Sequence, residues 1–262
     1  MITLDSADIV GFVQSVLWPF LRCIGLFLVA PMFGAAVVPA RIKVILALML
    51  GFLLAPLAAP ATAVEPLGGQ MMLLSASQVL IGVAMGFAIQ MVFEALTLAG
   101  QTIASTMGLG YATLLDPQRG ASVPVVSQFL LVLGLLLFLS IDGHLVVIEL
   151  LAESFTWMPV GRIGFPGGAA QTLALWGGKI FEAGLMIGLP AIVALIVVNL
   201  ALGVVSRAAP SLNLFSIGFP VGIGIGFLVI ILSLQNLEGS FSSVLEASFE
   251  AVRNLFGGAG RG

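Results

Sequence analysis

Ser140, Asp142 and His144 are the closest grouping of residue types that could move a proton or attack a carbonyl. Nucleophilic catalysis needs a hydroxyl or thiol within reach of a base that a third group orients. Ser140 precedes His144 by four residues on one predicted helix, and no Gly-flanked serine faces the histidine from another helix. His144 is also the single histidine, and a zinc site takes three or four clustered ligands. Asp142 and His144 therefore read as a polar cap near the end of an apolar run, with a proton-linked role as the other reading. Gly177-Gly178-Lys179 has the end of a phosphate-binding loop, but Ile180 follows where Ser or Thr is needed. Gly222, Gly224 and Gly226 lie in an apolar span with no later acidic residue on a strand, which removes a dinucleotide reading. Cys23 is the single cysteine; it cannot form an internal disulfide and reads as a small apolar helix residue. No enzyme activity, metal or cofactor is expected.

A different kind of chemistry is suggested by Met107-Gly-Leu-Gly-Tyr-Ala-Thr-Leu-Leu-Asp-Pro117. Gly108 and Gly110 loosen the backbone, and Asp116-Pro117 is a turn signal. Met107, Leu109, Tyr111, Leu114 and Leu115 are nevertheless bulky and apolar, unlike a loop in water. Non-helical backbone at membrane depth is tolerated only inside protein or along an aqueous cavity. An apolar loop projecting into a pore would block it by sterics and dewetting. The other reading of these residues is a tight connector packed on neighbouring helices.

The elements that must position this loop are apolar helices. The chain has 262 residues, of which 60% are hydrophobic and only 8% charged, against roughly 25% charged in soluble proteins. Mean hydropathy is +1.21. No charge falls between Lys43 and Glu65, Glu65 and Glu94, Arg119 and Asp142, Glu182 and Arg207, or Arg207 and Glu238. A bilayer core takes about 20 apolar residues of helix, so the expected class is all-α, a polytopic helical membrane protein. The net charge of −3 and the lack of any basic cluster give no nucleic-acid signal. The first charges are Asp5 and Asp8 and the first basic residue is Arg22, so no cleavable signal peptide is expected.

Six passes are predicted, at about 9–30, 42–58, 71–98 (extendable towards 106), 124–148, 176–205 and 212–236. Prolines 31, 39, 56, 60 and 66 and the Gly-rich stretches 107–124 and 158–168 punctuate them. From Gly239 the pattern changes: Phe241, Val244, Leu245, Phe249, Val252 and Phe256 recur at three- and four-residue spacing between Glu238, Glu246, Glu250 and Arg253. That is an amphipathic helix, with a disordered Gly-rich end expected after it. Arg41, Lys43, Arg119 and Arg207 fall on one side of six passes, and Arg162, Lys179, Arg253 and Arg261 on the other. Four against four gives no positive-inside bias. Either the passes differ from these, or ordinary bilayer topology does not set the final state.

Polar side chains inside the passes support the second explanation. Arg22 lies in the first, Gln90 and Glu94 sit one helical turn apart in the third, and Asn199 lies in the fifth. Intramembrane ionisable groups normally face protein or water. Glycine pairs at 82 and 86 and at 184 and 188, with the 222–226 series, permit close helix contact. Arg22, Gln90, Glu94, Asp116, Arg119, Asn199 and Arg207 are therefore candidates for buried or inter-subunit polar contacts.

Four stretches together resemble a known family: RCIGLFLVAPMFGAAVVPARIK from Arg22, GQTIASTMGLGYATLLDPQRGASVP from Gly100, FLSIDGHL from Phe138, and VNLALGVVSRAAPSLNLFSIGFP from Val198. The chain resembles the FliR family of flagellar export-gate proteins and its injectisome counterparts. The Asp-Gly-His run favours the flagellar branch. The resemblance implies kinked helical hairpins built into a hetero-oligomeric gate in the bacterial inner membrane, at the flagellar basal body. It implies FliP, FliQ, FlhB and FlhA as partners, one copy per gate, and unfolded flagellar proteins as substrate. It implies a FliP-like part over about 1–160, with a plug loop at 106–124, and a FliQ-like part over about 161–262 that ends in the amphipathic tail 239–256. Such a gate is lifted largely out of the bilayer plane, which would account for the balanced charges. Carried onto this chain, Met107, Gly108, Leu109, Gly110, Tyr111, Leu114, Leu115, Asp116 and Pro117 form the plug, with the glycines allowing it to move. Tyr111 and Leu114 depart from the phenylalanines common in the family. The rival readings are an injectisome gate subunit, a small-molecule or ion transporter with an internal repeat, and a scaffold without gating.

Overall fold

Apolar runs interrupted by proline and glycine fold here as helices. In the computed structural model, which describes residues 6–34, 38–58, 68–109, 124–162, 164, 167–208 and 214–257, every regular element is helical. The helices are α1 (Ser6–Val29), α2 (Ala40–Leu54, extended by a 3₁₀ turn Ala55–Leu57), α3 (Gly69–Thr106), α4 (Val125–Ser140), α5 (Gly143–Trp157), α6 (Ala169–Ala208) and α7 (Leu214–Gly257). Pro19, Pro190 and Pro220 lie inside α1, α6 and α7, and each removes one i→i−4 hydrogen bond. Among the described residues, five helices are long and apolar enough to cross a membrane, or six if α4 and α5 together form one bent span.

The predicted fourth pass, 124–148, needs correction. It is not one helix: the chain breaks after Ser140, and α5 continues to Trp157. The break lies at Asp142, whose backbone is left-handed at φ 57 and ψ 23. Asp is among the few side chains that visit this conformation readily. Gly143 follows because a Cβ there would sit 2.5 Å from Cδ2 of the Phe138 ring and 3.0 Å from the Phe138 carbonyl oxygen. The Phe-Leu-Ser-Ile-Asp-Gly-His run is thus a helix break with a ring folded over it. A second difference concerns the end of the chain. The sixth pass and the amphipathic tail are one uninterrupted helix, α7, in which Phe241, Leu245, Phe249, Val252 and Phe256 are buried while Glu238, Glu246, Glu250 and Arg253 are exposed. The Gly-rich end from 258 lies outside the described residues.

Packing divides the chain into two compact units. The first comprises 1–91, 138–177 and 247–262, and the second 92–137 and 178–246. In the first unit, α1 and α3 touch backbone to backbone. A Cβ on Gly25 would collide with the Val79 carbonyl, and one on Gly82 with the Arg22 carbonyl; one on Gly86 would lie 2.8 Å from the Leu26 carbonyl oxygen. These are the close contacts that small residues allow. Trp18 and Leu74 are fully buried beside Leu21, Met71 and Val160. Trp176 donates its indole N–H to the Ala88 carbonyl at 2.9 Å, and Lys43 Nζ reaches the Gly34 carbonyl at 3.1 Å.

The second unit uses the same device. A Cβ on Gly184 would lie 2.9 Å from the Ala95 carbonyl oxygen, and a Cβ on Gly100 would collide with the backbone of Ser127. The Ser127 hydroxyl donates to the Thr97 carbonyl at 3.0 Å. Phe93 and Phe241 meet edge to face at 5.8 Å. The outward side of α6 carries Leu185, Leu189, Val193, Ile196 and Leu200, all exposed. Water is a poor solvent for such a face, so lipid or an apolar protein surface must cover it.

Candidate functional site

In the second unit, the end of α3 is the stem from which the Met107–Pro117 stretch leaves. A helix C-terminus leaves four carbonyls without an intrahelical partner. Met107 N–H donates to the Ile103 carbonyl at 2.9 Å, Gly108 N–H to Ser105 at 3.1 Å and Leu109 N–H to Ala104 at 3.0 Å. The last two bonds, with Gly108 left-handed at φ 86, form a Schellman cap. Gly108 therefore terminates a helix in a fixed conformation. The Thr106 carbonyl is met by another helix: Asn199 on α6 donates its side-chain amide there at 2.9 Å.

Met107 points back into the unit and is 3% exposed. Its side chain lies against Gly226, where a Cβ would stand 2.6 Å from Cγ and Cε and 2.8 Å from Sδ. One turn earlier on α7, a Cβ on Gly222 would lie 3.7 Å from the Met107 carbonyl oxygen, whereas Gly224 faces open space. The glycine series thus presents a two-residue notch to Met107. Leu109 is half-buried. Gly110, Tyr111, Leu114, Leu115, Asp116, Pro117 and Arg119 lie outside the described residues.

The first unit holds a second polar centre. Arg22 is 0% exposed. Its Nε and Nη2 both donate to Gln78 Oε1, the Nε bond at 2.9 Å; Nη1 donates to Ser154 Oγ at 2.8 Å, and Nη2 to the Met158 carbonyl at 2.8 Å. The guanidinium also lies 3.9 Å above the centre of the Phe155 ring. Among the described residues these acceptors are all neutral. A buried cation without a carboxylate is costly. Two features offset that cost here. Charge-assisted hydrogen bonds are roughly twice as strong as neutral ones. Moreover, Met158 is the C-cap of α5, where the helix dipole presents partial negative charge. The Ser154 hydroxyl donates a hydrogen bond to the Leu151 carbonyl at 2.6 Å, leaving its lone pairs for Arg22. The cluster ties α1, α3 and the end of α5 together.

Sequence reasoning selected Arg22 but missed Gln78, Ser154 and Met158, which lie 56 to 136 residues away in the chain. A signal was present in the spacing: Trp18 and Arg22 lie one turn apart on α1, as Leu74 and Gln78 do on α3. Of the other selected residues, Gln90 is half-buried, and Glu94 and Arg207 are exposed. Arg207 lies in the last turn of α6, where a cation is favoured. His144 opens α5 with its Nδ1 buried and without a hydrogen bond among the described residues.

The sequence profile of the bacterial export proteins, family 1, matches residues 13–248. The chain belongs to that family. Its members include the flagellar biosynthetic protein FliR of Pectobacterium carotovorum subsp. carotovorum, 40% identical over 97% of this chain and 99% of its own length. FliR of Escherichia coli K12 is 38% identical over 97% and 96%, and FliR of Bacillus subtilis 168 is 29% identical over 95% and 96%. The flagellar branch expected from Asp-Gly-His is the one these relatives carry. As a member of this export family, the chain is a membrane-embedded subunit of the flagellar export apparatus, and its apolar helices supply the means of embedding.

Proposed function

We propose that this chain is a core subunit of the flagellar type III export gate and that Met107–Pro117 plugs its channel. FliP, FliQ, FlhB and FlhA are its partners, the bacterial inner membrane at the basal body is its site, and unfolded flagellar proteins are its substrate. Residues 1–160 act as a FliP-like part and 161–262 as a FliQ-like part. The chain makes and breaks no covalent bonds. It gates passively: the closed plug excludes water and ions, arriving substrate displaces it, and the energy comes from elsewhere in the apparatus.

The observation that carries this reading is the stem. Helix α3 ends in a hydrogen-bonded cap at Gly108, directly before an apolar run containing Tyr111, Leu114 and Leu115. An apolar constriction is what gating by dewetting requires, and the capped helix end gives such a loop a defined base. The test is to co-express the chain with FliP and FliQ and weigh the purified complex by native mass spectrometry. One copy in a defined hetero-oligomer is expected. A stable monomer or homodimer that ignores both partners overturns the gate reading and favours a transporter that works alone.

A further inference from the structure

Three constraints converge on residues 106–108, and the helix cap explains only one of them. The Schellman bonds satisfy Ala104 and Ser105 and complete a helix end without outside help. The other two come from different helices. Asn199 is the only side-chain amide between Glu182 and Gln235 outside the 209–213 connector. It lies on an exposed apolar face of α6, where an amide is costly unless bonded, and it spends its N–H on the Thr106 carbonyl. Gly222 and Gly226 leave α7 bare where Met107 lies.

We propose that Asn199 and the Gly222–Gly226 notch form a latch that holds the base of the plug loop shut. The proposal rests on the plug reading above and adds the positioning residues that hold it closed. The chemistry suits a contact that opens and closes again. Met107 is unbranched and adaptable, so it can withdraw from a glycine notch without forcing a backbone rearrangement. A single hydrogen bond from Asn199 can likewise break and re-form. The Schellman cap stays intact throughout, so the stem moves as one piece when the latch opens.

The test uses the assembled gate carrying the pair M107C and G226C, with each single variant as a control that retains the buried Cys23. The Met107 Cγ position, which a cysteine Sγ would take, lies 2.6 Å from the Cβ position at residue 226, within reach of a second thiol there. Diamide is expected to cross-link the pair and stop export of a flagellar substrate, and dithiothreitol to restore it; in each single variant, whatever its own level of export, neither reagent should change that level. A pair that cross-links but still exports means that the stem is static, and overturns the latch. A pair that never cross-links means that Met107 does not occupy the notch, and overturns it too. Asn199→Leu gives a second readout: a raised ion leak through the resting gate is expected, and a gate as tight as the parent removes Asn199 from the latch. If arrest occurs but a gate with a shortened loop does not leak, the plug reading fails while the moving stem stands.

Discussion

Met107 fills the space that a side chain at Gly226 would need. A Cβ on Gly226 would lie 2.6 Å from two Met107 carbons, closer than non-bonded atoms approach. Gly226→Leu should therefore expel Met107 and overpack the unit, at a cost of about 1–3 kcal/mol. Met107→Ala alone should cost about 2–5 kcal/mol through the cavity it leaves. Combining the two should cost less than their sum, because each relieves the other. Melting of the purified protein, followed for all four members of the cycle, checks this; strict additivity would mean that the two residues do not touch.

The Arg22 cluster predicts an asymmetry between its partners. Gln78→Leu removes two of the guanidinium's hydrogen bonds and leaves a buried cation short of acceptors. That should cost about 3–5 kcal/mol. Replacing both residues, as Arg22→Met with Gln78→Leu, removes the charge together with its need and should recover much of the loss. Cys23, fully buried next to Arg22, offers the readout: a thiol-reactive dye reports when this core opens on heating. A double variant that melts below Gln78→Leu alone would contradict the assignment.

Glycine substitutions should sort by what a Cβ would meet. Gly82→Ala puts a carbon into the Arg22 backbone, whereas Gly11→Ala meets nothing within 4 Å. The first should abolish accumulation of folded protein and the second leave it unchanged, as measured by membrane abundance and monodispersity in detergent.

At the helix break, Asp142→Ile should cost about 1–2 kcal/mol, because a β-branched residue resists the left-handed backbone found there. Asp142→Gly should be tolerated. Gly143→Ala should destabilise through Phe138, and shortening that ring to Phe138→Leu should restore part of the loss. Thermal melting of the four variants tests the set.

The helices were legible because apolar length is written directly in the sequence: the charge-free spans became most of α2, most of α3, α4, most of α6 and the first half of α7. The break at Asp142 was harder to read, because Ile141-Asp142-Gly143 interrupts hydropathy by only two residues, and hydropathy carries no backbone angle. Arg22 stood out as a charge in an apolar run. Its acceptors did not, since Gln78 and Ser154 are ordinary polar residues until packing brings them to one guanidinium. Asn199 also stood out in its apolar run, but its acceptor, the Thr106 carbonyl 93 residues away, did not. Gly108 was legible as special but not in which way: the residue type signals freedom, whereas its N–H bond to Ser105 shows a cap.

The most direct measurement is the ion conductance of the assembled gate, comparing the parent with a variant shortened between Met107 and Pro117 but keeping the stem through Gly108. The account predicts a tight parent and a leaky variant that still assembles. A shortened gate that assembles and stays as tight as the parent would contradict the plug.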